Sequence, residues 1–198
     1  MITKLCEKEG ILLINVVRRD EQVRILTEEY GQKYVLNQTD PDFKDKLKAL
    51  TKELGVQVML ECIGGKFTAE LLHCLPDKST CVLYGSMDEV GLEGFNPGHL
   101  IGRGYAIEGF VLGGFLKSKG LLGILPVINK AVNMMHDSTL QSTIQKRLKF
   151  SEFKSGLEQY YKNMSAGKFV LCPFEDDPEL EKGGAQEVFD IKHLNSNQ

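Results

Sequence analysis

Apolar runs bounded by glycine or charge divide the first half of the chain into short segments, of which Ile11–Arg19 is the most distinct. Six apolar residues surround Asn15, and two arginines end the run. Such a nearly continuous apolar run predicts a strand buried on both faces, as in a parallel sheet. Arg18 and Arg19 then lie at its carboxyl end, where open α/β sheets bind ligands. The pair predicts either a phosphate-binding strand tip or a solvated strand end.

Helical and strand-like periodicities alternate around this strand. Met1–Lys8 has the spacing of a helix, and Asp20 is expected to cap a helix that runs to Tyr30. The dipeptide Asp40-Pro41 opens a third helix. The alternation predicts right-handed crossovers and a parallel sheet. The other elements predicted before residue 88 are strands Tyr34–Leu36, Val56–Ile63 and Thr80–Tyr84 and helix Phe67–Leu75.

The second half of the chain begins with an irregular, glycine-rich stretch at residues 88–104. A long helical pattern follows, and Pro126 is expected to kink or restart that helix. Ser151 is expected to cap a later helix whose inward face carries Leu157, Tyr160 and Tyr161. The other predicted elements are the long helix Leu116–Met135 and strands Tyr105–Leu112, Thr143–Phe150 and Lys168–Cys172.

Charge, hydropathy and cysteine content exclude several classes of protein. The 198 residues include 24 Lys and Arg and 27 Asp and Glu without a basic stripe, so we expect no nucleic-acid partner. Since no apolar run reaches the length of a membrane span and the start lacks a signal-peptide pattern, we expect no membrane span and no secretory signal. The five cysteines lack C-x-x-C spacing, which favours buried free thiols over a metal or disulfide role. Free thiols indicate an intracellular, reducing compartment, either cytoplasm or mitochondrion.

Several of these segments resemble one known family. They are INVVRRDEQV, KYVLNQTD, VQVMLECIGG, STCVLYGSM, YAIEGFVL and the closing LKFSEFKSGLEQYYKNMSAGKFVLCP. Together they cover most of residues 1–173 and resemble the cofactor-binding half of the medium-chain dehydrogenase/reductase superfamily, in particular its zinc-free quinone and enoyl-thioester reductases. The resemblance implies an α/β fold with a Rossmann-like, doubly wound parallel sheet. It implies no catalytic zinc.

The resemblance also implies parts of the family fold that these residues do not contain. MITKLC resembles the interior of the family's first helix, so we expect a truncated sheet that lacks the first strand, the glycine-rich turn and the amino-terminal catalytic domain. The strands at Ile11–Val17 and Val56–Ile63 would then flank a gap. Either they close up, or another chain or the true amino terminus fills the gap, since an open gap exposes apolar edges.

Three domains are expected along the chain. Residues 1–142 form a truncated Rossmann-like cofactor domain, residues 143–173 a remnant of the catalytic domain with a strand-helix-strand order, and residues 174–198 an extended polar tail. The tail contains four apolar residues that could dock on a partner or on the body. They are Val188, Phe189, Ile191 and Leu194.

The resemblance implies a cofactor site and no catalytic residue within the chain. Arg18 and Arg19 correspond to the position where the family reads the adenosine ribose, and arginine there favours the 2′-phosphate of NADP(H) over NAD. The missing turn would remove the main pyrophosphate site, so relic charges are the alternative. The other implied cofactor-binding positions are Gly64, Gly65, Gly85, Ser86, Phe110, Val111 and Lys168.

Each of these positions also has a purely structural interpretation. Ordinary turn chemistry explains both glycine-containing pairs equally well, and a lone lysine that opens a strand is usually solvated. Phe110 and Val111 fit a core strand, or a strand Tyr105–Leu112 that pairs with its copy in a dimer, as it does in many relatives; we expect the dimer edge over a nicotinamide contact. The four histidines have no partner at catalytic spacing, so none receives a role.

Two functions follow from these expectations. The favoured one is a non-catalytic or partial reductase-like protein, a structural or interaction subunit of a larger assembly with at most vestigial NADP(H) binding. The alternative is an NADP(H)-dependent quinone or enoyl-thioester oxidoreductase. Its amino-terminal catalytic half would then come from another chain or lie outside these residues.

Overall fold

The structure is a computed structural model that describes residues 1–88, 90–137, 139–140, 142–162, 164–173 and 187–188. It divides into two compact units. One is residues 12–124, and the other is residues 1–11 together with the chain from residue 125 onward. The domain boundaries expected at residues 142 and 173 stay predictions.

Short parallel strands alternate with helices in the unit of residues 12–124. Its strands are β1 (Ile14–Val17), β2 (Tyr34–Asn37), β3 (Val58–Glu61), β4 (Thr80–Leu83) and β5 (Ala106–Gly109). Its helices are α2 (Asp20–Arg24), α3 (Phe43–Glu53), α4 (Gly65–His73), α5 (Gly98–Gly102) and the start of α6 (Leu112–His136), while α1 (Ile2–Lys8) belongs to the other unit. The predicted parallel α/β fold is confirmed.

The strands of this unit form two sheets. β1 pairs in parallel with β2, and β3, β4 and β5 pair in parallel in that order. In the part of the chain that the structure describes, no ladder joins β1 to β3. Of the outcomes expected for the gap, closing up of the two strands is therefore excluded.

One hydrophobic cluster nevertheless contacts both sheets. Its buried members come from α3 and the end of α4, where leucines recur at helical spacing. Side chains of β1, β2 and β3 pack against it from the sheets. The buried members are Phe43, Leu47, Leu71 and Cys74, and the half-buried ones are Ile14, Val16, Leu36, Met59 and Phe67. The two sheets thus share one helical layer without sharing backbone hydrogen bonds.

β1 is shorter and more exposed than its apolar sequence predicts. It spans Ile14–Val17, and all four residues are only half-buried. Before it, Ile11 and Leu12 are 58% and 69% exposed. The expected burial on both faces is wrong, because β1 pairs along one edge only and its neighbours on the other side are missing from the described residues.

The first helix of this unit has a different start from the predicted one. Arg19 occupies the N-cap position, and Asp20 is the first helical residue without a capping hydrogen bond. The Oδ1 atom of Asp20 instead accepts a hydrogen bond from Nδ2 of Asn37 at 2.7 Å. α2 then continues as a π-helical turn, Ile25–Glu29, which together with it matches the predicted length.

β5 and α6 also depart from their predicted bounds. β5 ends at Gly109, and α6 already begins at Leu112. The helix is interrupted at Gly120, where φ is 63° and ψ is 174°, so the break predicted at Pro126 is misplaced by six residues. Glycine adopts this conformation without the steric penalty that other residues carry, and therefore interrupts the helix before proline does.

The second unit contains a strand-helix-strand arrangement, as predicted. Its elements are α1, the end of α6, β6 (Thr143–Lys149), α7 (Phe153–Lys162), β7 (Lys168–Cys172) and the two-residue β8 (Glu187–Val188). β6 pairs in parallel with β7 and antiparallel with β8. Ion pairs Lys8–Asp137 and Lys130–Glu9 connect α1 to the end of α6.

Details of α7 correct two predictions. Ser151 does not cap it, because a 3-10 turn precedes the helix and the Glu152 carboxylate accepts the Lys149 amide at 3.0 Å. Tyr161 does not face inward, since it is 65% exposed, whereas Gly156 is buried. Of the tail, Glu187–Val188 pairs with β6. Phe189, Ile191 and Leu194 lie outside the described residues.

Candidate cofactor edge

Most of the predicted site residues follow the carboxyl ends of strands in the unit of residues 12–124. Because β3, β4 and β5 are parallel, their carboxyl ends lie along one edge of their sheet. The carboxyl end of β1 carries the arginines in the neighbouring sheet. The residues after these strands are Arg18, Arg19, Gly64, Gly65, Gly85, Ser86, Phe110 and Val111.

The arginines occupy the turn from β1 into α2. Arg18 is exposed, and its backbone amide donates a hydrogen bond to Oε1 of Gln22 at 3.2 Å. Arg19 is half-buried and its carbonyl accepts the first hydrogen bonds of α2. The predicted role of both arginines in binding phosphate stays a prediction.

A polar network that sequence reasoning missed joins the ends of β1 and β2. Asn37, only 5% exposed, donates to the Asp20 carboxylate and accepts from the amide and hydroxyl of Thr39 at 3.0 and 2.9 Å. Asn followed two residues later by Thr is the signature of an Asx turn, which could have revealed it. The network fixes the turn that carries the arginines.

The Gly64–Gly65 turn is built around a buried carboxylate. Glu61 is 4% exposed and accepts hydrogen bonds from the amides of Ile63 and Gly64, both at 2.9 Å, and from the Thr68 hydroxyl at 2.6 Å. Three donors around a carboxylate offset its loss of hydration. The signal in the sequence was a lone glutamate in an apolar strand, seven residues before a threonine.

Both glycines of this turn have backbone conformations that other residues rarely adopt. φ is +78° at Gly64 and +71° at Gly65, where α4 begins. The Asp88 side chain fills the space beside Gly65, so that a Cβ on this glycine would lie 2.6 Å from its Cγ atom. The Asp88 amide donates to the Ile63 carbonyl at 2.7 Å, which holds the aspartate there. A carboxylate beside this helix start opposes the approach of a second anion.

Gly85 and Ser86 lie close to the end of β3. A Cβ on Gly85 would be 3.0 Å from the carbonyl oxygen of Cys62, so this position requires glycine for a close approach of two backbones. The Ser86 hydroxyl donates to the Asp88 carbonyl at 3.2 Å. Through Asp88, the turn of Gly85 and Ser86 is therefore connected by hydrogen bonds to the turn of Gly64 and Gly65.

Two titratable groups, one within β4 and one directly after it, are held neutral. Burial raises the pKa of the Cys81 thiol to about 11. Burial, followed by a hydrogen bond with Cys62, raises the pKa of Tyr84 to about 12. Neither a thiolate at Cys81 nor a phenolate at Tyr84 forms near neutral pH, so these two groups are poor nucleophiles or bases here.

Phe110 and Val111 are exposed beyond the end of β5. They are 43% and 71% exposed, which excludes the core-strand interpretation. The Phe110 amide still donates to the Leu83 carbonyl at 2.8 Å, so the backbone remains tied to β4. A cofactor contact and a dimer edge both stay predictions for these residues.

Lys168 belongs to the other unit. It opens β7, and its ammonium lies 3.4 Å from the Tyr160 hydroxyl. A cavity of about 240 Å³ lies beside it, lined mainly by apolar side chains of β6, α7 and β7. The role of Lys168 at the cofactor stays a prediction.

The described residues contain no group of three His, Cys, Asp or Glu side chains placed to hold a metal ion. In the same part of the chain, no helix has the length and apolar character that crossing a membrane requires.

Comparisons with known proteins identify the family of the chain. The model of the family described as zinc-binding dehydrogenase matches residues 1–129. The chain belongs to this family. The resemblance to the medium-chain dehydrogenase/reductase superfamily is therefore confirmed, although the metal-ligand set that the family's name implies is not seen among the described residues.

Individual relatives of this family are similar over much of the chain. Mitochondrial enoyl-[acyl-carrier-protein] reductase of Rattus norvegicus is 24% identical over 86% of this chain and 46% of its own length. The human synaptic vesicle membrane protein VAT-1 homolog-like is 24% identical over 66% of this chain and 35% of its own. The chain thus spans a third to a half of these curated relatives.

Solved structures confirm the Rossmann-like fold class. A Mesorhizobium loti protein assigned as an NADPH:quinone reductase has a TM-score of 0.78 and 27% identity, over 87% of this chain and 49% of that one. An enoyl thioester reductase of Candida tropicalis has a TM-score of 0.68 and 16% identity, over 86% of this chain and 50% of that one. The second likeness concerns the fold alone.

Proposed function

We propose that this oxidoreductase-like chain is non-catalytic by itself and acts as an interaction subunit of a larger assembly. The observation that carries the proposal is the pair of separate parallel sheets. β1 and β3 contact one helical layer, but each leaves one backbone edge without a partner among the described residues. An added strand between them supplies both sets of backbone hydrogen bonds.

Exposure of apolar side chains at this place supports the same proposal. Val58 and Leu60 of β3 are 57% and 50% exposed, and Leu12 before β1 is 69% exposed. Exposed apolar side chains beside open strand edges are typical of an interaction site. The covering strand comes from a partner chain or from sequence outside these 198 residues. The outer edge of β5, with exposed Val111, is a second contact, through which two copies of the chain pair.

A second candidate function rests on the arginines. Arg18 and Arg19 at the end of β1, together with the glycine turns after β3 and β4, favour NADP(H) in an oxidoreductase whose catalytic half comes from elsewhere. Its substrates would be quinones or enoyl thioesters. A Candida tropicalis structure of the same fold is a complex with NADP and crotonyl-CoA, and another is a heterodimer. Asp88 beside Gly65 opposes this candidate, since its charge repels the pyrophosphate.

Titration of the purified chain with NADPH and with NADH, followed by cofactor fluorescence, separates the two functions. The first predicts no saturable binding. The second predicts a dissociation constant in the roughly micromolar range for NADPH. It also predicts that Arg18→Ala combined with Arg19→Ala weakens NADPH about tenfold or more, because charge-assisted hydrogen bonds to phosphate are lost, and leaves NADH unchanged. Arg24→Ala, an exposed arginine paired with Glu28, is the matched control.

Light scattering after size-exclusion chromatography measures the assembly. A free monomer that binds NADPH with arginine-dependent affinity would overturn the interaction-subunit proposal. A defined complex without cofactor binding would overturn the reductase candidate. Relatives named as mitochondrial enoyl reductases in Rattus norvegicus and Saccharomyces cerevisiae favour a mitochondrial location over a cytoplasmic one, which fractionation of the source cells tests.

A further inference from the structure

Two histidines that lie 26 positions apart in sequence meet in the unit of residues 12–124. His73 is the last residue of α4, and His99 is the second residue of α5. Their ring centroids are 4.7 Å apart with the planes at 78°, an edge-to-face contact. The ring of buried Tyr105 lies 6.4 Å from the His99 ring, also edge-to-face. The contact therefore docks the short helix α5 against the end of α4.

Each of these histidines has a buried ring nitrogen without a hydrogen-bond partner in the described ranges. They are Nε2 of His73 and Nδ1 of His99. In a neutral imidazole, the unpartnered nitrogen can be the one without hydrogen, and it is then only an acceptor that receives no hydrogen bond. In the other tautomer, the same nitrogen carries the hydrogen and is one unsatisfied donor. A protonated imidazole donates from both nitrogens, so each of these atoms would become a buried donor with no acceptor. The geometry therefore favours neutral rings.

The charges around the pair also oppose protonation. The Arg103 guanidinium donates to the carbonyls of His73 and Leu75 at 3.5 and 2.8 Å and lies over the Tyr105 ring. The carboxylate that faces it, Asp77, is already paired with Arg103 Nε at 2.7 Å.

One further ion pair lies on the side of α3. Lys44 and Glu70 approach to 3.0 Å, so this carboxylate is also already paired. A proton on either histidine would add a second positive charge beside Arg103, with both nearby carboxylates engaged. The pKa of His73 is accordingly lowered, first by burial and then by His99, Arg103 and Lys44, while Glu70 acts in the opposite direction.

We propose that the His73–His99 contact is a pH-sensitive latch that holds α5 while the His73 ring is neutral and releases α5 when that ring is protonated. The segment that carries α5 follows Asp88 along the chain, and Asp88 lies beside Gly65. Release of the latch on acidification therefore loosens the segment next to the candidate cofactor edge.

The sign of the effect follows from the lowered pKa of His73. Above the ordinary histidine pKa of about 6.5, the ring is neutral in the folded and the unfolded chain, and the contact is intact. As the pH falls from there through the lowered pKa, the unfolded or released state binds the proton more readily than the docked state. The released population then rises by about tenfold for each pH unit when one proton is taken up.

Amide hydrogen exchange of residues 98–103 between pH 8 and pH 5 tests the latch. In the wild-type chain, protection at these amides, corrected for intrinsic exchange, is expected to fall by about tenfold per pH unit in the acidic part of the range. In His73→Gln the steep fall disappears, because glutamine does not titrate. His136→Gln, which replaces an exposed histidine of α6, keeps the wild-type profile. Equal acid dependence in the wild-type chain and in His73→Gln would overturn the proposal.

Direct titration of the imidazoles keeps the test decisive if His73→Gln does not fold. The C2 proton resonances of the wild-type histidines report their individual pKa values by NMR. A His73 pKa at or above about 6.5 would overturn the latch. Thermal stabilisation by Zn²⁺ that is lost in His99→Gln would also overturn it, since the pair would then be a metal site.

Discussion

β4 and β1 are equally apolar in sequence, yet they differ in how completely their residues are buried. In β4, Cys81 has no exposed surface, and Leu72 of α4, which packs in the same cluster, is also fully buried. In β1, every residue is only half-buried, and in β3 the side chains of Val58 and Leu60 are exposed. The difference follows the pairing, since β4 has a strand on each side, whereas β1 and β3 each have one neighbour.

The candidate cofactor edge combines turns that follow both kinds of strand. The glycine turn after β3 is held by the buried carboxylate of Glu61, although β3 itself has one open edge. The arginines after β1 lie in a turn held by the network of Asp20, Asn37 and Thr39. Under the second proposed function, recognition of phosphate by the arginines would therefore depend on what covers β1.

The largest effect is expected from Leu72→Ala compared with Leu12→Ala. Leu72 has no exposed surface, so its truncation leaves a cavity and lowers the free energy of unfolding by about 2–5 kcal/mol. Leu12 is 69% exposed, and its truncation changes stability by less than about 0.5 kcal/mol. Denaturant unfolding measures both. Equal losses would contradict the comparison and would show that the surface near β1 is covered in solution.

A smaller effect is expected from Glu61→Gln. The side-chain amide turns one acceptor of the carboxylate into a donor, which then faces donors at Ile63, Gly64 or Thr68. The free energy of unfolding is expected to fall by about 1–3 kcal/mol. Glu53→Gln, an exposed position on α3, is the control and should be neutral. Thermal unfolding compares the pair, and an unchanged midpoint in Glu61→Gln would show that the carboxylate does not organise the turn.

The smallest effect is expected from Asp88→Ala in a Gly65→Ala variant, where it relieves the crowding that the new Cβ creates. Gly65→Ala places a Cβ against Asp88 at a φ of +71°, which should lower the free energy of unfolding by about 1–3 kcal/mol. Asp88→Ala in the same chain should restore part of the loss, because it removes the clash and leaves only the backbone strain. A double-mutant cycle in urea measures this coupling, and strictly additive losses would show that Asp88 does not fill the space beside Gly65.

Patterns local in sequence predicted the elements well. β7 spans Lys168–Cys172 as predicted, because its apolar run has clear ends. The exposure of β1 was not predictable from its own residues, since it depends on which strand lies beside it. The break at Gly120 was missed because proline is the stronger general signal, although glycine alone adopts the observed backbone angles there.

The candidate site was predictable only in part, for a related reason. Arg18 and Gly64 could be named as candidates because they follow apolar strands in the sequence. Glu61 was missed because its role depends on three donors supplied by folding, and the contact of His73 with His99 was missed because 26 positions separate them. Interactions between distant residues leave no spacing pattern in a single sequence.

The open edges of β1 and β3 also bear on how a cell handles this chain during synthesis. Unpaired strand edges with apolar neighbours pair with any compatible strand, including those of another copy. If another chain supplies the covering strand, as proposed, a copy released from the ribosome before that strand is available is a substrate for chaperones and proteases. Its abundance would then follow the supply of the covering strand and not its own rate of synthesis.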